Sequence, residues 1–164
     1  MALGEIGDAH LKAIGQVTAQ FAFLEFSVAE LIWGLLGTEQ RVGQAVTAGL
    51  PFRQSVALAS SLAKQRITDP KPLKTLDSLL SQALAAEGDR NTIVHSTWFT
   101  VAEGEQVSRL KFRVNKAKGR VVHFAAVSSA EIDQIAGRIA DVAAGVQEFI
   151  AATGYAQDYI DADP

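Results

Sequence analysis

The sequence predicts a mainly α-helical bundle of about four to five helices, with a long central first helix and a small antiparallel β insertion before the last helix. Long stretches repeat apolar residues every three or four positions, as an amphipathic helix requires. Glycine- or proline-containing segments separate these stretches, and one later region alternates apolar and polar residues instead. The 164 residues suit one domain, which we expect to span 1–164.

The first helix is expected from about Asp8 to Leu36, and Gly37 marks its end. Apolar residues at spacings of three and four form one seam: Ile14, Val17, Phe21, Leu24, Val28, Leu31 and Leu35. A second apolar stripe lies beside the seam, composed of Ala19, Ala22, Phe26, Ala29 and Trp33. A helix that is apolar on two flanks normally has neighbours on both, so we place it at the centre of the bundle.

Three helical segments are expected to follow. A helical pattern from Glu39 to Ala48 is interrupted at residues 49–51, and a second segment then runs to about Arg66. Asp69 is suited to cap the next helix, because the prolines after it fit a first helical turn. We expect that helix to continue to about His95, with a distortion near Gly88 as the alternative.

The alternating region predicts two or three strands in an insertion of about residues 97–126. The final helix is expected to begin after Ser128, where Glu131 completes a capping box, and to end near Gly154. An acidic tail at residues 155–164 follows it.

Composition excludes several classes of site. The chain has no cysteine, hence no disulfide and no thiolate metal site, and its three histidines lack the spacing of a zinc motif. The N-terminus lacks the layout of a signal peptide. Polar residues within the apolar first helix, among them Gln16, Gln20 and Glu30, argue against a membrane span. We therefore expect a cytoplasmic protein with no metal, cofactor or membrane partner.

Arg90, Asn91 and His95 form the candidate catalytic group. On a continuing helix Asn91 and His95 are neighbours on one face, with Arg90 on the adjoining flank. A guanidinium forks onto phosphate oxygens, and an imidazole exchanges protons near neutral pH. These groups can therefore hold a phosphodiester and move protons around it without a metal.

This stretch, Arg-Asn-x-x-x-His in an all-helical setting, resembles the HEPN superfamily (higher eukaryotes and prokaryotes nucleotide-binding domains). The resemblance implies metal-independent RNA cleavage in which His95 is general acid or base, Arg90 neutralises the phosphorane and Asn91 orients the phosphate. It also implies a homodimer with a shared site, RNA as substrate, and a toxin or defence role with an antitoxin or nucleotidyltransferase as partner. Ser96 and Glu25 are candidate supporting residues.

A structural interpretation of the same residues remains open. Arg90 would pair with Glu87 or Asp89, and His95 would cap the last carbonyls of its helix. Glu25 would then be a surface or salt-bridged residue. The corresponding function is a non-catalytic dimeric interaction module, or one that binds a nucleotide or RNA.

A basic segment within the insertion is the second candidate site. Six basic residues and no acid lie in it, namely Arg109, Lys111, Arg113, Lys116, Lys118 and Arg120, whereas the whole chain has a net charge of −3. The first three share one face of a strand, along which an RNA backbone could lie. The same charges could instead protect an edge strand from aggregation.

Overall fold

The computed structural model describes residues 6–100, 106–115 and 119–155, with only the backbone of 112–115, 119 and 120. The helices are α1 (Asp8–Leu36), α2 (Gln40–Thr47), α3 (Phe52–Arg66), α4 (Pro70–Val94) and α5 (Ser129–Thr153). The strands β1 (Thr97–Phe99), β2 (Ser108–Asn115) and β3 (Gly119–Ala126) lie between α4 and α5. The predicted fold class is confirmed: a helical bundle carries a small antiparallel sheet before its last helix.

Helix α1 is central, since it packs against α2, α3, α4 and α5. Its predicted seam is buried from Val17 to Leu35. The second stripe is covered only towards the carboxyl end, where Trp33 is buried and its Nε1 donates to Thr47 Oγ1 of α2 at 2.9 Å. Phe26 of that stripe is 40% exposed, so the expectation of neighbours on both flanks holds for only part of the helix.

By length and composition α1 could also cross a membrane, with a mean hydropathy of 1.4 over its most apolar stretch. In the bundle ten of its residues are buried. Glu30 accepts a hydrogen bond from Gln147 of α5, so a carboxylate within the apolar helix has a partner in the fold. This combination is typical of the core helix of a folded domain.

The helix boundaries follow the predicted capping residues. Asp69 accepts a hydrogen bond from the Lys71 backbone N–H at 2.9 Å at the start of α4. Ser128 and Glu131 form the predicted capping box of α5, and their hydrogen bonds hold the pKa of Glu131 below its ordinary value. Helix α4 runs without interruption through Gly88 to Val94, so no distortion breaks its hydrogen-bonding pattern before the motif ends.

The three strands pair in the order β1-β2-β3, and their register sorts side chains onto two faces. Trp98 pairs with Arg109 and Lys111 pairs with His123 on one face, whereas Leu110 pairs with Phe124 on the other. The first face contacts the bundle, because Trp98 and Lys111 donate to the end of α4. On the opposite face Phe124 is 60% exposed. Trp98 and Lys111 therefore face the end of α4, whereas Phe124 on the opposite face is largely exposed.

Candidate functional site at the end of helix α4

The carboxyl end of α4 carries all three motif residues. Arg90 and Asn91 lie in its last two turns, and His95 is the C-cap residue. The His95 backbone N–H donates to the Asn91 carbonyl oxygen at 3.3 Å, as expected of residues four apart on a helix. The sequence therefore predicted correctly that one helix positions the motif.

Arg90 is half-buried and is oriented by two contacts. Its Nη1 donates to Asn91 Oδ1 at 2.9 Å, and its Cζ lies 5.1 Å from the centre of the Phe21 ring of α1. Its Nε is buried and has no hydrogen-bond partner in the described part of the chain. The guanidinium is thus held by stacking and by the neighbouring amide, so the immediate partner of Asn91 is Arg90.

The carboxylates that the structural interpretation assigned to Arg90 are paired elsewhere. Arg53 Nε of α3 lies 2.7 Å from Glu87 Oε2, and Arg138 Nη2 of α5 lies 3.3 Å from Asp89 Oδ2. Among the described residues no carboxylate lies within ion-pair distance of Arg90. That part of the structural interpretation is therefore wrong, and the positive charge of Arg90 is not neutralised by a direct ion pair there.

Glu25 of α1 is exposed and belongs to the same group of charges. Partial burial of its carboxyl group raises its pKa above the ordinary value, and repulsion from Glu87 raises it further. Arg90 opposes both effects by favouring the ionised form. Glu25 is therefore close enough to Arg90 for their charges to interact, but no hydrogen bond joins the two side chains in the described part of the chain, and its supporting role stays a prediction.

The raised pKa predicts a pH-dependent effect of Glu25→Gln. Because the folded state holds the proton more tightly than the unfolded state, ionised Glu25 opposes folding. We expect Glu25→Gln to raise the melting temperature at pH 7 and the difference to disappear below the ordinary pKa of 4.5. Calorimetry of both proteins from pH 3.5 to pH 8 measures this; a variant that is less stable at pH 7 would contradict it. Glu148→Gln, at an exposed position of α5, is the control, since it changes the net charge by the same amount.

His95 presents its side chain to solvent. The residue is exposed, and its ring makes no hydrogen bond to any described residue. It therefore does not cap the carbonyls of α4 with its imidazole, contrary to the structural interpretation. An exposed imidazole at the end of the helix that carries Arg90 can reach a bound ligand.

Other side chains hydrogen-bond to the last carbonyls of α4. Lys111 Nζ donates to Asn91 O at 3.1 Å and to Thr92 Oγ1 at 3.0 Å. Ser96 Oγ donates to Thr92 O, and Trp98 Nε1 donates to Ile93 O at 2.9 Å. The Thr92 and Ile93 carbonyls lie too close to the helix end to have partners within the helix, and Lys111 is a second donor to the Asn91 carbonyl. These three donors therefore stabilise the turn that carries the motif. The Ser96 hydroxyl is engaged with its own helix here, so its support of the catalytic group stays a prediction. The sequence missed Trp98, whose position just beyond the helix end was the available signal.

The candidate RNA-binding residues do not form one described surface. Lys111 contacts α4, and Arg109 is half-buried beside it on β2. Arg113 and Arg120 lie in β2 and β3, but their side chains are outside the described part. Lys116 and Lys118 lie entirely outside the described residues, as does the acidic tail beyond residue 155. The structure therefore joins one residue of the basic segment to the motif.

Comparisons with known proteins identify no relative. No family model, no curated protein and no solved structure matches the chain. In the described part of the chain no three His, Cys, Asp or Glu residues are grouped as metal ligands. The assignment of a function therefore depends on the arrangement at the end of α4.

Proposed function

We propose that the protein is a metal-independent endoribonuclease of the HEPN kind. The observation that carries the proposal is the arrangement at the end of α4. One uninterrupted helix bears an exposed His95 imidazole and, one turn earlier, an Arg90 guanidinium that Phe21 and Asn91 hold in place. One helix thus carries an imidazole that can accept the 2′-hydroxyl proton and a guanidinium that can stabilise the phosphorane.

The proposed reaction uses these groups on a ribose 2′-hydroxyl. His95 removes the hydroxyl proton, and the 2′-oxygen attacks phosphorus. Arg90 stabilises the extra negative charge of the phosphorane, and Asn91 keeps the guanidinium oriented. The bond from phosphorus to the 5′-oxygen then breaks, and the leaving oxygen takes a proton from an imidazolium. The products are a 2′,3′-cyclic phosphate and a 5′-hydroxyl.

A homodimer would supply a second imidazole as the acid and a second guanidinium. Helix α1 supports this part of the proposal, because Phe23 is 46% exposed and Phe26 is 40% exposed. Their rings stack at 6.4 Å, and Glu25 lies between them in sequence. An apolar surface next to a charged site is suited to a second copy of the chain, since pairing would bury both rings and bring two sites together.

We expect Phe26→Glu to convert a dimer into a monomer at micromolar concentration, because burying two new carboxylates at a two-fold contact is unfavourable. Light scattering with wild type and variant measures the mass. Leu11→Glu is a matched control, since Leu11 is a 53%-exposed residue of the same helix. A wild-type chain that is already monomeric would overturn the shared site.

The decisive test is RNA cleavage in EDTA by wild type and His95→Ala. The wild type is expected to release fragments with 2′,3′-cyclic phosphate ends. The variant should be slower by roughly 10²–10⁴-fold, which is the range for loss of a general acid or base. His123→Ala, which removes an exposed histidine of β3, is expected to retain activity. Equal rates for wild type and His95→Ala, or no cleavage by the wild type, would overturn the proposal.

A second candidate function is a dimeric interaction module that does not cleave RNA. The exposed Phe23 and Phe26 side chains favour it, because they suit association without any chemistry. Loss of dimerisation in Phe26→Glu together with an absence of cleavage would support this module.

On the enzyme hypothesis we place the protein in the cytoplasm as a toxin or defence nuclease, with an antitoxin or nucleotidyltransferase as partner.

A further inference from the structure

We propose that Lys111 is a positioning residue, which fixes the last turn of α4 and thereby the direction in which His95 leaves the helix. The catalytic consequence rests on the proposed function. The structural role can be tested separately, because it concerns contacts within the folded chain.

The role follows from one carbonyl group. The oxygen of Asn91 accepts from Lys111 Nζ at 3.1 Å and from the His95 backbone N–H at 3.3 Å. The ammonium also donates to Thr92 Oγ1 at 3.0 Å, so it contacts two consecutive residues of the turn. A cation at this end of a helix is additionally favoured by the helix dipole. Lys111 therefore stabilises the turn from which His95 projects.

The position of the Lys111 ammonium group is set by the sheet. Lys111 lies in the central strand β2, where it pairs with His123 of β3. On the other side of β2, Arg109 pairs with Trp98 of β1, and the Trp98 indole donates to Ile93 O of α4. Trp98 and Lys111 thus contact the end of α4, and backbone hydrogen bonds between the strands fix both residues relative to each other.

These contacts distinguish Lys111 from a residue whose role is to bind the RNA backbone. A lysine that serves as a phosphate contact changes affinity and its dependence on salt. A lysine that holds two oxygens of α4 is expected to change the rate of the chemical step, since a small displacement of a catalytic group lowers that rate strongly.

The experiment compares Lys111→Met, Lys111→Arg and Arg109→Met in the full chain. Arg109 is a suitable comparison because it lies on the same strand face and its side chain makes no hydrogen bond to a described residue. We expect Lys111→Met to lower kcat by roughly 10–100-fold, with KM changed by less than about twofold. Lys111→Arg should recover part of kcat. Arg109→Met should alter KM and its salt dependence while kcat stays near the wild-type value.

Amide hydrogen exchange tests the structural role without any activity. In Lys111→Met the Val94 and His95 amides are expected to exchange roughly tenfold faster, because the last turn loses a charged hydrogen-bond donor. The Leu31 amide in the core of α1 reports that the fold is intact. Unchanged exchange at Val94 and His95, or effects of Lys111→Met and Arg109→Met that are equal and confined to KM, would overturn the proposal. If the wild type cleaves no RNA, the exchange result still decides the role of Lys111.

Discussion

Replacing Arg90 by lysine is expected to lower kcat for RNA cleavage nearly as much as replacing it by alanine, by roughly 10²–10³-fold. The reason is geometric. The planar guanidinium lies over the Phe21 ring, with Cζ 5.1 Å from its centre, while its Nη1 donates to Asn91 Oδ1. A lysine ammonium has the same charge but cannot stack and fork in this way.

The measurement is kcat and KM for Arg90→Lys, Arg90→Ala and wild type, with thermal unfolding of each as a control for folding. Arg53→Lys is the matched control, since the Arg53 side chain is 68% exposed and pairs with Glu87 close to the site. We expect its activity to stay within about twofold of wild type, because a lysine at this largely exposed position can still pair with Glu87. If Arg90→Lys keeps a third or more of the wild-type kcat, charge alone is sufficient and the stacked geometry is not required.

Replacing Phe21 by alanine is expected to lower the free energy of unfolding by about 3–5 kcal/mol. Phe21 is 2% exposed, and its ring packs edge-on against Phe52 of α3 at 4.9 Å. The substitution leaves a cavity between α1 and α3 and also removes the ring on which Arg90 lies. For a domain with a total stability of about 5–15 kcal/mol, this is a large fraction.

Equilibrium unfolding in urea, monitored by circular dichroism, measures the loss. Phe21→Leu separates packing from the cation–π contact: it should cost less than about 1.5 kcal/mol, since it keeps most of the volume. Because it removes the ring beneath Arg90, its kcat is nevertheless expected to fall. Leu11→Ala on the same helix should change stability by less than about 0.5 kcal/mol, since Leu11 is 53% exposed. Equal losses for Phe21→Ala and Leu11→Ala would contradict the assigned packing.

Local patterns in the sequence predicted most helix boundaries. Helix α1 spans Asp8–Leu36 as expected, because apolar periodicity marks its body and Gly37 adopts the left-handed conformation that ends it. The capping box of α5, the Asp69 cap and the prolines of α4 act within four residues of the helix ends they define. The alternating pattern similarly located the strands. Caps, prolines and alternation can be recognised in the sequence because their physical causes act over a few residues.

Local sequence patterns did not predict which side chains contact the site residues. Glu87 pairs with Arg53 of α3 and not with Arg90, although Arg90 is only three residues from it. Side chains three apart on a helix are neighbours, but packing of a second helix offered Glu87 a closer cation. Phe21 lies under Arg90 for the same reason, since its contact depends on how α1 crosses α4.

The sequence by itself determined the helical bundle, the position of the β insertion and the presence of Arg90, Asn91 and His95 at one helix end. Only the packing of the sheet against α4 shows that Lys111 and Trp98 face the helix end and that Lys111 contacts Asn91. Alternation along a strand defines two faces, but it does not specify which face meets the rest of the protein. That choice depends on the docking of the sheet against a helix 20 residues away in sequence.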